Sequence, residues 1–164
     1  MNFPQAIQQV LSKYADFSGR ATRPEYWWWV LAIAVGSAVF GIVDSALPYG
    51  FLQPIFGLLT LIPTWAVGAR RLHDTGRSGW WMALWIVSSL VFVAIFIVSI
   101  IAMIGGAFEF GFEGSEEGGG LLVLGFIGTA VSALILLAIS VWSIIWMAQR
   151  GEGGLNRFGE VPLN

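Results

Sequence analysis

The chain has 164 residues, of which 57% are hydrophobic and only 11% charged, with a formal net charge of −2 and no cysteine. Soluble domains carry about 25% charged residues, and a chain this short has too much surface for its volume to hide that much apolar area from water. Composition therefore excludes an ordinary soluble domain and points to lipid as the solvent. The charge balance leaves no global basic field for nucleic acid, and the lack of cysteine removes disulfides, thiolate nucleophiles and thiolate metal sites.

The first segment, residues 1–25, reads as cytoplasmic or interfacial. It does not read as a cleavable signal peptide, because Pro4, Gln5, Gln8 and Gln9 interrupt any apolar run. Phe3, Ile7, Val10, Leu11 and Tyr14 recur at helical spacing, and Pro4 suits a first helical turn. A short amphipathic helix is expected, lying at the membrane surface or packed on the polar loops.

A spanning helix needs about 20 mostly apolar residues. Four stretches qualify, at about 26–47, 51–69, 80–104 and 121–147, followed by a tail at 148–164. The second holds Pro54 and Pro63, so a kink is expected there. Small residues supply packing stripes: Ala32 with Gly36 and Ser37 with Gly41, then Gly57, Thr64 and Gly68, then Gly125, Thr129 and Ala133. Asp44 is the one charge inside a span and sits a turn from its end, an interfacial position.

Charge placement tests this count. Lys13, Arg20, Arg23, Arg70, Arg71, Arg77, Arg150 and Arg157 all fall on one side of a four-span chain. The other side receives the Pro48–Gly50 turn and the stretch "GGAFEFGFEGSEEGGG", with glutamates and no positive charge. The positive-inside rule then places both termini and the central loop in the cytoplasm. The tryptophans, from Trp27–Trp29 to Trp142 and Trp146, all fall in the cytoplasmic half, where indole favours the headgroup zone. The acidic stretch lacks the ligand spacing of a calcium loop and reads as a solvated, mobile connection.

Three polar motifs lie on the basic side. "FSGRATRPEYWWW" precedes the first span, "ARRLHDTGRSGWW" lies between the second and third, and "GLNRFGEVP" follows the fourth. The first two share a hydroxyl residue, Gly, Arg and a tryptophan cluster, as if two weakly similar hairpins were repeated. Phe17, Gly19, Arg20, Arg23, Glu25 and Trp27, then Arg71, His73, Asp74 and the Gly76–Trp80 run, then Asn156, Arg157, Phe158 and Gly159 resemble the motifs of the domain of unknown function 805 family, the YhaH-like small bacterial inner-membrane proteins. The resemblance spans almost the whole chain. It implies a four-helix bacterial inner-membrane protein and implies no activity.

The fold expected is an all-α, single-domain, integral-membrane four-helix bundle with a short N-terminal amphipathic interfacial helix. Several readings of its polar motifs stand side by side. Arg23 with Glu25 and Arg71 with Asp74 form structural ion pairs in the first. In the second, Arg20, Arg23, Arg71, His73, Asp74, Arg77, Asn156 and Arg157 bind an anionic lipid headgroup, a small anion or a partner protein, making the chain a non-enzymatic scaffold or sensor. A small oligomeric transporter or channel is the alternative, although the spans carry few polar groups. The most distant alternative is an intramembrane serine hydrolase using Ser78 in "GRSG", with His73 the sole candidate base. No cofactor, metal ligand set or catalytic residue is expected. The expected partners are membrane lipid and a protein partner or second copy, not nucleic acid.

Overall fold

The computed structural model describes residues 1–162, so the last two positions of the tail, 163 and 164, lie outside the described residues. Five α-helices follow one another: α1 (Phe3–Ser12), α2 (Arg23–Ser45), α3 (Leu52–Asp74), α4 (Trp80–Glu113) and α5 (Glu116–Ala148). Among the described residues there is no strand, only an isolated bridge between Asn156 and Gly159. The last four helices, α2 to α5, are each long and apolar enough to cross a membrane. The chain divides into two compact units, one comprising residues 1–82 with 146–164 and the other residues 83–145.

In the first unit, α1 starts on a reciprocal cap. The Gln5 amide donates to the Asn2 side chain (3.1 Å), and the Asn2 amide donates to the Gln5 side chain (3.0 Å). Its Val10 packs with Ala21, Trp29 and Val67, flanked by Ile7, Tyr26 and Ile33. Phe3 meets Trp28 edge to face at 5.7 Å. The expected amphipathic helix is thus present, with Ala6 and Val10 buried and Phe3 and Leu11 left exposed.

Helices α2 and α3 are antiparallel partners along their whole length. Asp44 faces the start of α3, Gly36 faces Phe56, Trp29 reaches Thr64 and Glu25 reaches Arg70. Gly36 fulfils its expected packing role, since a Cβ there would run into the Phe56 ring, whereas Gly41 and Gly57 face open space. Asp44 has a structural role: its carboxylate accepts from the Leu52 amide (3.1 Å) and the Gln53 amide (2.7 Å). It caps across the turn the helix N-terminus that Phe51 cannot cap itself.

Helix α3 runs unbroken through Pro63. Proline has no N–H, so the Leu59 carbonyl four residues earlier loses its helical donor. The Tyr14 hydroxyl replaces it, donating to the Leu59 oxygen at 2.5 Å. Tyr14, two residues past α1, thus repairs the helix defect that Pro63 creates.

The second unit is a helix pair formed by α4 beyond Met82 and α5 before Trp146. Its helices touch at glycines. A Cβ on Gly106 would meet the Leu122 and Gly118 backbone, one on Gly125 the Met103 backbone, and one on Gly128 the Ser99 side chain. These helices outrun the apolar stretches read from sequence. Most of the acidic stretch expected to be a mobile loop is helical, and the connection shrinks to Gly114 and Ser115, with Gly114 at φ +66°. The 34 residues of α4 extend about 50 Å, more than the ~30 Å of a bilayer core, so the polar turns at its end continue the helix beyond the lipid.

The Tyr14 repair is measurable as a coupling. Tyr14→Phe is expected to cost about 1 kcal/mol in detergent unfolding, and to cost close to nothing in a Pro63→Ala background, where an N–H is restored to Leu59. Equal costs in both backgrounds would show that Tyr14 acts elsewhere.

Candidate functional site

The polar motifs meet at one end of the first unit. Two consecutive arginines close α3 and point to different partners. Arg70 donates to the Glu25 carboxylate (3.0 Å) and to the backbone oxygens of Lys13 (3.1 Å) and Asp16 (2.7 Å). It therefore joins the start of α2 to the chain leaving α1, whose end carbonyls lack helical donors. Arg71 donates to the Met147 oxygen (2.9 Å), to the Gln149 oxygen and to the Asp74 carboxylate, and so holds the end of α5. Both arginines are fully buried.

Asp74 is shared. One carboxylate oxygen pairs with Arg71, and the other accepts from Arg20 Nε (2.9 Å) and lies 2.8 Å from Arg20 Nη2 in an ion pair. Arg20 uses its remaining N–H groups on the tail, donating to the Gly154 oxygen (2.6 Å) and the Glu152 oxygen, with a longer contact to Gly159 (3.4 Å). The tail answers: the Glu152 amide donates to the Asp74 oxygen (2.8 Å), and the Asn156 amide group donates to the His73 oxygen (3.0 Å). Gly151 lies directly on the Asp74 carboxylate, where a Cβ has no room.

The echo between the first two motifs has a conformational basis. Gly19 and Gly76, each just before an arginine, take left-handed backbone with φ +75° and +72°. Each offers its carbonyl to a ring or fork: His73 Nδ1 lies 3.1 Å from the Gly19 oxygen, and Arg157 donates to the Gly76 oxygen at 3.1 Å. His73 also stacks flat on Phe158, with centroids 3.9 Å apart. Beside this network, hydrogen bonds from the Ser18 hydroxyl and amide hold the Asp16 carboxyl below its usual pKa, with help from the Arg70 and Lys13 charges.

The residues read from sequence separate into two sets. Arg20, Arg71, His73, Asp74 and Asn156 form one interlocked core with the tail. Arg23, Arg77 and Arg157 lie at its rim. Arg23 is exposed and has no ion pair or hydrogen bond among the described residues. Arg77 covers the Trp146 ring at 4.2 Å, and Arg157 covers Phe158 at 4.6 Å. The expected Arg71–Asp74 pair forms, but the expected Arg23–Glu25 pair does not: Glu25 turns inward, 1% exposed, to meet Arg70. Arg70 itself was missing from the sequence-derived set. Its signal was the charged doublet ending an apolar stretch, which only a buried partner can accommodate.

The chemistry of the core is structural. Two guanidiniums share one carboxylate, and backbone oxygens at the end of α5 and in the tail accept from their remaining N–H groups. The Ser78 hydroxyl accepts only from the Trp80 amide (3.4 Å) among the described residues, and His73 is directed to Gly19 and Phe158 rather than to it. Asp74→Ala is expected to cost about 3–5 kcal/mol in thermal unfolding, because it strands two buried cations. Gly151→Ala, which keeps every charge, is expected to free the tail for limited proteolysis after Arg150. An undigested tail in that variant would mean that the Asp74 contact does not hold it.

The comparisons with known proteins agree on kinship. The chain is 38% identical to "Inner membrane protein YhaH" of Escherichia coli (strain K12) over 109 residues, covering 63% of this chain and 90% of that protein. It is 41% identical to "Inner membrane protein YhaI" of the same organism over 80 residues, 48% of this chain and 68% of that one. It is 37% identical to "Uncharacterized protein YiiR", also of that organism, over 83 residues, 50% of this chain and 55% of that one. No solved structure matches. The match to one family runs over residues 14–160, from just after α1 through the spans to the tail that closes the arginine core, and the chain belongs to that family, described as Protein of unknown function (DUF805).

Proposed function

We propose that the protein is a non-catalytic inner-membrane scaffold or sensor whose arginine cap faces the cytoplasm and holds an anionic group at its rim. The division of the arginines carries this reading. Arg20, Arg70 and Arg71 are buried and, Arg70 Nε apart, direct their donors to carboxylates and backbone oxygens. Arg23, Arg77 and Arg157 keep guanidinium edges at the surface beside aromatic rings, an arrangement suited to bidentate phosphate. The buried set makes a rigid base, and the rim set, which makes a single backbone hydrogen bond each at Arg77 and Arg157 and none at Arg23 among the described residues, presents charge on it.

The same residues support the proposed orientation. Every lysine and arginine lies in or beside the polar motifs of the cap, and none lies near the Pro48–Gly50 turn or in residues 83–145. The positive-inside rule assigns such an end to the cytoplasm. A hydrolase receives no support, since Ser78 lacks a hydrogen-bonded base. A transport path receives little: Thr60 and Thr64 direct their hydroxyls to helix carbonyls at 2.7 and 2.6 Å.

Delipidated protein in mild detergent, titrated with phosphatidylglycerol and read by native mass spectrometry, tests the reading. Wild type is expected to hold a defined lipid adduct. The triple variant Arg23→Ala, Arg77→Ala, Arg157→Ala is expected to lose it at least tenfold, with a melting point within a few degrees of wild type. Equal retention by the triple variant would sink the proposal, as would a collapse of its fold with lipid still bound.

A further inference from the structure

Beside the cap, a groove of about 700 Å³ is lined by Arg23, Pro24, Trp27, Trp28, Leu31 and Ala148. We propose that this groove is a binding site for one glycerophospholipid with a net negative headgroup, its phosphate on Arg23 and an acyl chain along Leu31. The inference rests on the scaffold reading above and names the ligand and its place.

Three features carry it. The first is the order of chemistry along α2. Arg23, Trp27 and Leu31 are spaced four residues apart and so share one helix face, stepping about 12 Å from cap toward apolar span. A guanidinium comes first, then indole rings, then an aliphatic side chain. A phospholipid presents phosphate, ester zone and hydrocarbon in that same order. Indole suits the middle zone because its ring is apolar and its N–H polar.

The second feature is uncompensated charge. Arg23 would pair with Glu25 if only local sequence counted, but Glu25 is held by Arg70 at 3.0 Å. Arg23 also stands at the first position of α2, after the Thr22 cap, where the positive end of the helix dipole adds to its charge. Both terms favour an anion. The third feature is that the walls are fixed and the opposite side is small. Trp28 is braced by Phe3, Trp27 by Tyr26 at 5.3 Å, and the facing residue, Ala148 at the end of α5, leaves the space open. Arg71 holds that end of α5 through the Met147 oxygen, so the core sets the groove's width.

The test is a native mass spectrometry titration of the full chain in mild detergent. Phosphatidylglycerol is compared with phosphatidylethanolamine of the same chains and with glycerophosphoglycerol, the headgroup without chains. Wild type is expected to bind one phosphatidylglycerol at least tenfold more tightly than phosphatidylethanolamine, and the chainless headgroup far more weakly. Arg23→Ala is expected to remove that preference, and Arg23→Lys to restore part of it. Ala148→Leu, which fills the groove and changes no charge, is expected to weaken binding about tenfold. Lys13→Ala, at a cation in neither the rim nor the groove, is expected to leave it unchanged. If Arg23→Ala or a folded Ala148→Leu binds like wild type, the groove is not the site. If the adduct instead depends on Arg77 or Arg157, the rim still binds lipid and only the groove assignment falls. Equal affinity for the two lipids would overturn the negative headgroup. If wild type binds neither lipid, both this inference and the scaffold reading fail.

Discussion

Placing charged arginines inside a protein beside a membrane imposes one demand: every N–H of the guanidinium needs an acceptor, and the charge needs a counterpart. The Arg70–Arg71 doublet meets nearly all of that demand by dividing. Arg70 takes the end of α1 and Glu25 of α2, while Arg71 takes the end of α5 and Asp74. The acceptors are mostly helix-end carbonyls, which lack donors of their own. Each side thus resolves the other's deficit, and one turn of α3 ties together segments far apart in sequence. Arg20 extends the arrangement to the tail through the same Asp74. One donor stays unmatched: Arg70 Nε is buried without a partner.

That constraint shapes what the cap can do. A buried ion network contributes little net stability and much geometric definition, since removing one member is costly while the whole is close to neutral. A defined base allows surface groups to hold fixed positions. Arg77 rests on Trp146, which also meets Trp81 edge to face at 5.1 Å, so the start of α4 and the end of α5 are aligned by the same aromatic contact that orients a free cation. The core residues are buried and spend nearly all their donors on one another and on backbone oxygens, whereas the rim groups keep contact with the surface.

Sequence made the lipid-facing architecture readable and the cap much less so. Four apolar stretches, the one-sided arginines and the tryptophan clusters each report a residue's relation to the bilayer, and that relation needs no knowledge of partners. Helix ends are different. Helix α3 runs on to Asp74 because Arg70 and Arg71 find acceptors there and Asp74 finds donors, and α4 and α5 continue through glycines and glutamates because a helix beyond the lipid tolerates both. Ion pairing was readable only where it was local. Arg71 with Asp74 lies one helical turn apart and was found. Arg20 with Asp74, 54 residues apart, and Arg70 with Glu25, 45 apart, depend on the α2–α3 register. The same register explains why Arg23 remains free. Tyr14 illustrates the limit from the other side: Pro63 announces a missing donor, but only the placement of α1 shows what supplies it.

The central claim is that the doublet and Asp74 hold the ends of the chain on α3. Residue-resolved amide hydrogen exchange of the wild-type protein in lipid nanodiscs tests it most directly. The Ala21 amide donates to the Arg70 oxygen at 3.0 Å and the Glu152 amide to the Asp74 oxygen at 2.8 Å, although neither residue belongs to a helix. Both are expected to exchange at least a hundredfold more slowly than the nearby Gly153 amide. Exchange of Ala21 and Glu152 at the rate of an unstructured chain would contradict the clamp.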